Sequence, residues 1–299
     1  MADAVGAQTL PAPAATRSAR GRLGVASLWR AVRRSPLSLA GTALVLVFVG
    51  MAALAPALAP YAPDDQIAKR LSRPQAAYLL GTDEFGRDIF SRIVYGARIS
   101  LWVGVVSVGI ALAGGATSGL VSGYFGGRLD MLLMRVVDVM FSIPPIILAI
   151  TLTGILGPGL NNAMVAIGLV YLPTFARIAR GPVLTVVAQE YVEAARASGA
   201  GSGRVIWLHV LPNVAAPLIV QTTLALSTAI LAEATLSFLG LGIQPPEPSW
   251  GTMLGTGRKY MELAPWVAIF PGAAVMLLVL GFNLLGDGLR DVLDPRLKP

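Results

Sequence analysis

The sequence predicts an all-α integral membrane protein with six transmembrane helices, and three observations carry that reading. Of 299 residues, 55% are hydrophobic and only 13% are charged, against about 25% charged in soluble domains. Mean hydropathy is +0.69. The apolar residues gather into six runs of about 20, the length that crosses about 30 Å of hydrocarbon. The basic residues flank those runs instead of forming one patch, which is a topology signal and not a nucleic-acid footprint.

Taken in order, residues 1–35 read as a cytoplasmic tail. The first 22 are rich in Ala, Pro and Arg without apolar periodicity and are expected to be disordered; no apolar stretch of a signal peptide follows them. Leu28 and Trp29 with Arg30, Arg33 and Arg34 suit a short amphipathic elbow helix in the headgroup region, or a plain positive flank to the first span. Residues 36–60 hold the first transmembrane helix, its apolar run over 37–59, ending at Pro56 and Pro60. A polar extracytoplasmic segment follows over 61–98. A core of five further helices occupies 99–287. Its spans are expected over 99–124, 131–156 (bent by Pro144 and Pro145), 163–178 (with Pro173 inside), 214–236 and 265–285. A polar loop, 179–213, interrupts this core, and residues 288–299 form a second short tail. The second span carries Gly115, Gly119, Gly123 and Gly127 at four-residue spacing, a groove that lets another helix approach closely.

Six crossings place both termini on one side. Fifteen of the 23 Lys and Arg residues fall on that side, including the 179–213 loop, and eight on the other. The richer side is cytoplasmic. The opposite 61–98 segment also holds Asp64, Asp65, Asp83, Glu84 and Asp88, so its net charge is small.

Several chemistries are excluded. There is no cysteine and only one histidine, His209, so thiolate and multi-histidine metal sites are ruled out. No metal or cofactor is expected in this chain. No Gly-Lys dipeptide occurs, so there is no phosphate-cradling loop. If the protein uses ATP, another chain binds it. A single histidine supports no hydrolase triad, and the chain is not expected to be an enzyme.

Residues 189–213 are the one charged break inside the apolar second half. Glu193, Ala194 and Ala195 belong to a turn of good helix formers, which Gly199, Gly201 and Gly203 then break. Small alanines let a helix sit deep in a groove, and Glu190, Glu193, Arg196 and Arg204 can pair with a charged rim. Gly199 supplies either a positive φ or a close backbone approach. The segment reads as a docking element for a cytoplasmic partner, or as an ordinary interspan loop.

Glu193-Ala194-Ala195, Gly199 and Leu211-Pro212 resemble the EAA motif of ABC-importer permeases, with His209 where the general pattern has Ile. That departure resembles the dipeptide/oligopeptide branch. Leu80-Gly81-Thr82-Asp83, Gly86-Arg87-Asp88, Ser91-Arg92 and Gly96-Ala97-Arg98 are similar to the C-type permease subunit of that branch. So are Leu236 through Gly242 and Asn283 through Arg290. The resemblance implies the type I ABC-importer permease fold and a bacterial inner-membrane or plasma-membrane location. It implies a second, B-type permease as partner and one or two ATPase subunits that bind ATP and Mg. It also implies an extracytoplasmic peptide-binding protein, and a coupling helix built from Glu190, Glu193, Ala194, Ala195, Arg196, Gly199 and Arg204. Asp83, Arg87 and Asp88 then belong to an external docking surface. The substrates implied are dipeptides or oligopeptides, or nickel chelates, glutathione or another small solute within the family.

Charges within membrane spans are functional by default. Glu233, near the outer end of the fifth span, could face the substrate pathway or pair locally. Arg135 with Asp138, and Asp287 with Arg290, share helix faces at a spacing of three. His209 is expected to pack where the fifth span begins. Two other classes compete: a secondary transporter, which needs inverted repeats and midplane charges, and an intramembrane enzyme, for which Asp138 and Asp287 are the candidate pair.

Overall fold

The computed structural model of the chain describes residues 35–293. The expected N-terminal tail with its amphipathic helix, and the last six residues, 294–299, lie outside the described residues. The described part is helical, with only isolated β-bridges in the loop after the first span.

Helix α1 (Pro36–Ala53) starts where Ser35 caps it, its Oγ accepting from Ser38 N at 3.4 Å, with Pro36 in the first turn. Proline suits that turn because its missing N–H has no partner there anyway. Helix α2 (Ile89–Phe125) begins earlier than the expected Ile99. Asp88 sets the start: its Oδ2 accepts from Ser91 N at 2.8 Å and from Ser91 Oγ at 2.7 Å. The polar Ser91, Arg92 and Arg98 hid this extension from a hydropathy reading. The loop after the first span, expected over 61–98, therefore shrinks to residues 61–88. At 37 residues, α2 is about 55 Å long, so it extends well beyond the hydrocarbon.

The expected third span is two helices, α3 (Gly127–Phe141) and α4 (Pro145–Leu156), meeting at 93°. Pro144 and Pro145 break the backbone ladder between them. Helix α5 (Leu160–Val187) outruns its expected 163–178 at both ends and keeps Pro173 and Pro182 inside. Helix α6 (Glu190–Ala197) follows almost at once. A helical turn, Ser202–Val205, passes through a π-helical turn, Ile206–Val210, into α7 (Leu211–Phe238). Pro212 has no N–H to offer Leu208, which removes one ordinary helical bond at that junction. Helices α8 (Trp250–Gly257) and α9 (Trp266–Leu293) complete the described chain. Because α9 runs to Leu293, the polar tail starts later than residue 288. Among the described residues five helices are long and apolar enough to cross a membrane, and the bent pair α3–α4 makes a sixth crossing if counted as one. Together they form an all-α membrane fold.

Glycine sets how closely the helices meet. A Cβ on Gly115 would lie 2.4 Å from Leu172 O, and one on Gly119 2.2 Å from Ala176 O. Helices α2 and α5 thus touch backbone to backbone, as close packing in lipid requires. Gly123 extends the same seam against Val183. Gly127, the fourth member of the expected ladder, does not belong to it: it lies past the end of α2 with φ +57 and open space around it. A second seam joins α1 to α9, where a Cβ on Gly41 would meet Leu285 N at 2.6 Å. Outside the membrane core, Trp250 is fully buried and its indole donates to Ile93 O at 3.0 Å. Its ring meets Phe48 edge-on at 5.7 Å. That contact ties α8 to α1 and α2. Leu46, Val47, Trp102 and Met276 remain exposed on the chain, as lipid-facing or partner-facing residues do.

Candidate functional site

Two polar regions flank the membrane helices, and the first lies around α6. Its one buried residue is Val192. That side chain joins a cluster with Val183, Val186, Val205, Val210 and Val214, which fixes α6 between the end of α5 and the start of α7. Two ring contacts add to this. The Arg196 guanidinium lies 4.8 Å over the Tyr124 ring at the end of α2. Tyr191 and His209 stand with ring centroids 6.0 Å apart, so His209 packs in the π-helical turn where α7 begins.

The other face of α6 is open. Glu190, Glu193, Ala194, Arg196 and Arg204 are exposed, and Ala195 is half-buried. Among the described residues Glu190, Glu193 and Arg204 form no ion pair. Glu190 and Glu193 occupy the first turn and Arg196 the last, the order the helix dipole favours. Gly199 ends the helix with φ +83. Its N–H reaches Arg196 O at 2.9 Å, and Ala200 N–H reaches Ala195 O at 3.0 Å. This double bond pattern satisfies two orphan carbonyls and needs a left-handed residue between them. A Cβ on Gly199, Gly201 or Gly203 would meet nothing within 4 Å. Within this chain, then, Gly199 serves a positive φ and not a close approach.

Behind this segment, α3 is joined to α5 by charges. Arg180 Nε and Nη2 reach the two oxygens of Asp130, each at 2.6 Å, and Ser122 Oγ donates to the same carboxylate. Arg177 Nη2 reaches Asp138 Oδ1 at 2.8 Å, with its guanidinium 4.2 Å over the Phe141 ring. The expected Arg135–Asp138 pair is absent: Asp138 turns to the neighbouring helix instead of to its own. Asp287 and Arg290 are both exposed and form no ion pair with each other. Arg177, Arg180 and Asp130 were not singled out from sequence. Two arginines three apart, facing acids eight apart on the next helix, were the available signal.

The second polar region is the loop over residues 61–88. Asp83 and Asp88, expected on a docking surface, are only 3% and 2% exposed. Asp83 Oδ1 accepts from Phe85 N and Arg87 N, both at 2.9 Å, and Oδ2 accepts from Arg87 Nε at 2.7 Å. Asp88 caps α2. These residues fold the loop instead of forming its outer surface, because each carboxylate is buried and accepts from local donors. Arg92, which the sequence singled out only as part of a family-like motif, is buried behind them and donates to Pro63 O at 2.7 Å, with Asp83 Oδ2 at 3.6 Å. Burial pushes the Glu84 carboxyl above its usual range. A cavity of about 320 Å³ lies between this loop and α8, lined by Glu84, Arg87, Glu247, Lys259 and Tyr260 among others.

Glu233, the candidate for the substrate pathway, is 1% exposed inside the chain's own packing. Its Oε1 accepts from Ser237 Oγ at 2.8 Å and from Ser249 Oγ at 3.0 Å. The carboxylate thus pins α7 to the start of α8. A different cavity, about 370 Å³, opens between α4, α5 and α7 and is lined by Pro145, Ile146, Ile167, Tyr171, Thr228 and Leu231 among others. Among the described residues no group of His, Cys, Asp or Glu is arranged to hold a metal ion.

Bundled apolar helices with an exposed charged helix between two of them define a multi-pass membrane protein. Comparison with known proteins makes the class specific. Residues 115–299 match the model of the binding-protein-dependent transport system inner membrane component family, and residues 25–74 match that of the N-terminal TM domain of oligopeptide transport permease C. The chain belongs to this family of ABC-importer permeases. It is 48% identical to the dipeptide transport system permease protein DppC of Alkalihalophilus pseudofirmus, over 90% of this chain and 89% of that one. It is 47% identical to the di/tripeptide permease DppC of Pseudomonas aeruginosa, over 90% and 91%. The glutathione transport system permease GsiD of Pectobacterium atrosepticum is 44% identical over 90% of each chain. Among solved structures, an inward-facing MetNI methionine ABC transporter chain matches with TM-score 0.56 and 23% identity, over 68% of this chain and 97% of that one. That likeness concerns the fold.

Proposed function

We propose that this chain is the C-type permease of a bacterial peptide importer and that α6 is its coupling helix. The observation that carries this reading is the open face of α6. Its Glu190 and Glu193 form no ion pair among the described residues, and the glycines that follow it stand in open space, while a fully buried Val192 anchors the helix. A groove on an ATPase subunit, where ATP and Mg bind, would receive it. A B-type permease would complete the pore, and an extracytoplasmic binding protein would deliver the substrate. Both termini then lie in the cytoplasm, as the charge distribution favours. Relatives named for dipeptides and di/tripeptides support peptides as cargo. The glutathione permease relative supports a second reading, a modified tripeptide.

Transport follows from rigid-body switching between two packings. Reversing a 99:1 population needs about 5.5 kcal/mol of differential binding, which ATP and the loaded binding protein would provide together. Purification of the tagged chain from its native membrane tests the reading. A P-loop ATPase and a second permease should accompany it, and vesicles holding the assembly should take up labelled dipeptide with ATP inside. Recovery without an ATPase would overturn the coupling role. Uptake of glutathione but not of dipeptides would select the second reading.

A further inference from the structure

We propose that two arginine–aspartate pairs, Arg180–Asp130 and Arg177–Asp138, act as struts that carry the motion of the coupling helix to the bent α3–α4 span. The inference rests on α6 being the coupling helix. Helix α3 is unusual in how it is held. Of its 15 residues, only Val137 is buried, while Met131, Leu132, Val136 and Val139 are all more than half exposed. Little apolar packing therefore fixes α3 to its own chain. The pairs are the specific contacts that do. One is bidentate, the geometry that gives an Arg–carboxylate pair its directional stiffness.

The position of the pairs gives them a role beyond attachment. Arg177 and Arg180 sit in the second half of α5, and α5 passes into α6 after two residues. The end of α5 and α6 share one buried cluster, and Arg196 of α6 lies against Tyr124, two residues from where α3 begins. A displacement of α6 moves this end of α5, and the two pairs oblige α3 to follow. Helix α4 continues from α3 across a 93° bend, and its Pro145, Ile146 and Ala149 line the membrane cavity against Tyr171 and Thr228. The pairs thus connect the exposed coupling surface to a wall of that cavity. Spatial intermediacy alone is no proof of coupling, so the test is a charge-swap cycle.

The complete importer, reconstituted in vesicles with its binding protein, carries Asp130→Arg, Arg180→Asp, or both. Transport per ATP hydrolysed should fall about fivefold or more in each single variant and recover largely in the double swap, with ATPase co-purification unchanged throughout. A double swap no better than the singles would overturn the strut, as would single variants with wild-type stoichiometry. Asp138→Asn guards against misfolding, since that pair is more than half exposed on both sides. It should lower stoichiometry without changing the melting temperature, and wild-type stoichiometry there would count against the second strut. Loss of ATPase co-purification from the wild type would instead refute the coupling-helix reading itself.

Discussion

The loop over residues 61–88 and the segment over 189–213 are built from the same residue types and use them in opposite ways. Both place glycines among acids and arginines. In the 61–88 loop the charges around Gly86 turn inward, while Asp64, Asp65, Lys69, Arg70 and Arg73 stay exposed. Asp83 holds Arg87 and two backbone amides, Asp88 caps α2, and Arg92 is buried behind them. Its glycines are jammed: a Cβ on Gly86 would lie 2.1 Å from Ala68 O. In the α6 segment Glu190, Glu193 and Arg204 are exposed and form no ion pair among the described residues, and the glycines stand clear. A motif whose polar groups satisfy one another specifies a fold. A motif whose polar groups are left open specifies a meeting with something else.

This contrast predicts that substitutions in the external loop damage folding first, and those around α6 damage function first. The largest effect belongs to Gly86→Ala. Gly86 has φ +82 and backbone at 2.1 Å from the added Cβ, so the loop must open. We expect a loss of about 4 kcal/mol or more, the range that special backbone positions reach, read as early proteolysis of the loop in the purified complex. Next comes Asp83→Asn, which keeps the shape but removes the charge facing Arg87 and Arg92. Breaking such a buried arrangement costs about 3 kcal/mol, visible as a lower melting temperature. Survival of both variants with wild-type stability would end the distinction between the two regions.

Around α6 the order of effects reverses. Gly199→Leu must adopt φ +83, at a cost of about 1–2 kcal/mol, while nothing within 4 Å obstructs its side chain. Membrane insertion should persist, and the ATPase should be lost on purification. Unchanged co-purification and transport would sink the role given to that open space. Glu193→Ala should change stability by less than about 0.5 kcal/mol, as at other exposed sites, and lower transport per ATP. Wild-type stoichiometry in reconstituted vesicles would remove Glu193 from the coupling surface.

Sequence reading located six hydrophobic runs because the membrane imposes a length and a composition on every crossing. It placed α6 correctly because three glycines and a charged turn interrupt an apolar stretch. It misread what depends on direction. Whether Asp138 looks along its own helix to Arg135 or across to Arg177 is decided by the bend at Pro144 and Pro145, which brings α3 against α5. Whether Asp83 faces solvent or its neighbours is decided by how the loop closes on Gly81 and Gly86. The start of α2 was hidden because Ser91, Arg92 and Arg98 lower the hydropathy of a helix that has left the hydrocarbon. The burial of Glu233 could not be read, because its partners Ser237 and Ser249 lie on either side of a loop.

The smallest predicted effect lies on the external loop and sharpens the comparison through pH. Burial raises the Glu84 carboxyl above its usual value, against its own backbone hydrogen bond, which lowers it. A carboxyl raised on folding favours the protonated form in the folded loop. Its contribution to stability is therefore complete below the unfolded carboxyl's range and is lost as pH rises through the folded value. Glu84→Gln replaces this group with one that does not titrate. Hydrogen exchange of the 61–88 amides, compared between wild type and variant at each pH, should show the wild type losing protection relative to Glu84→Gln as pH rises from 4 to 7. A wild type that keeps the same protection as Glu84→Gln across that range would mean that burial of the Glu84 carboxyl does not bear on how this loop is held.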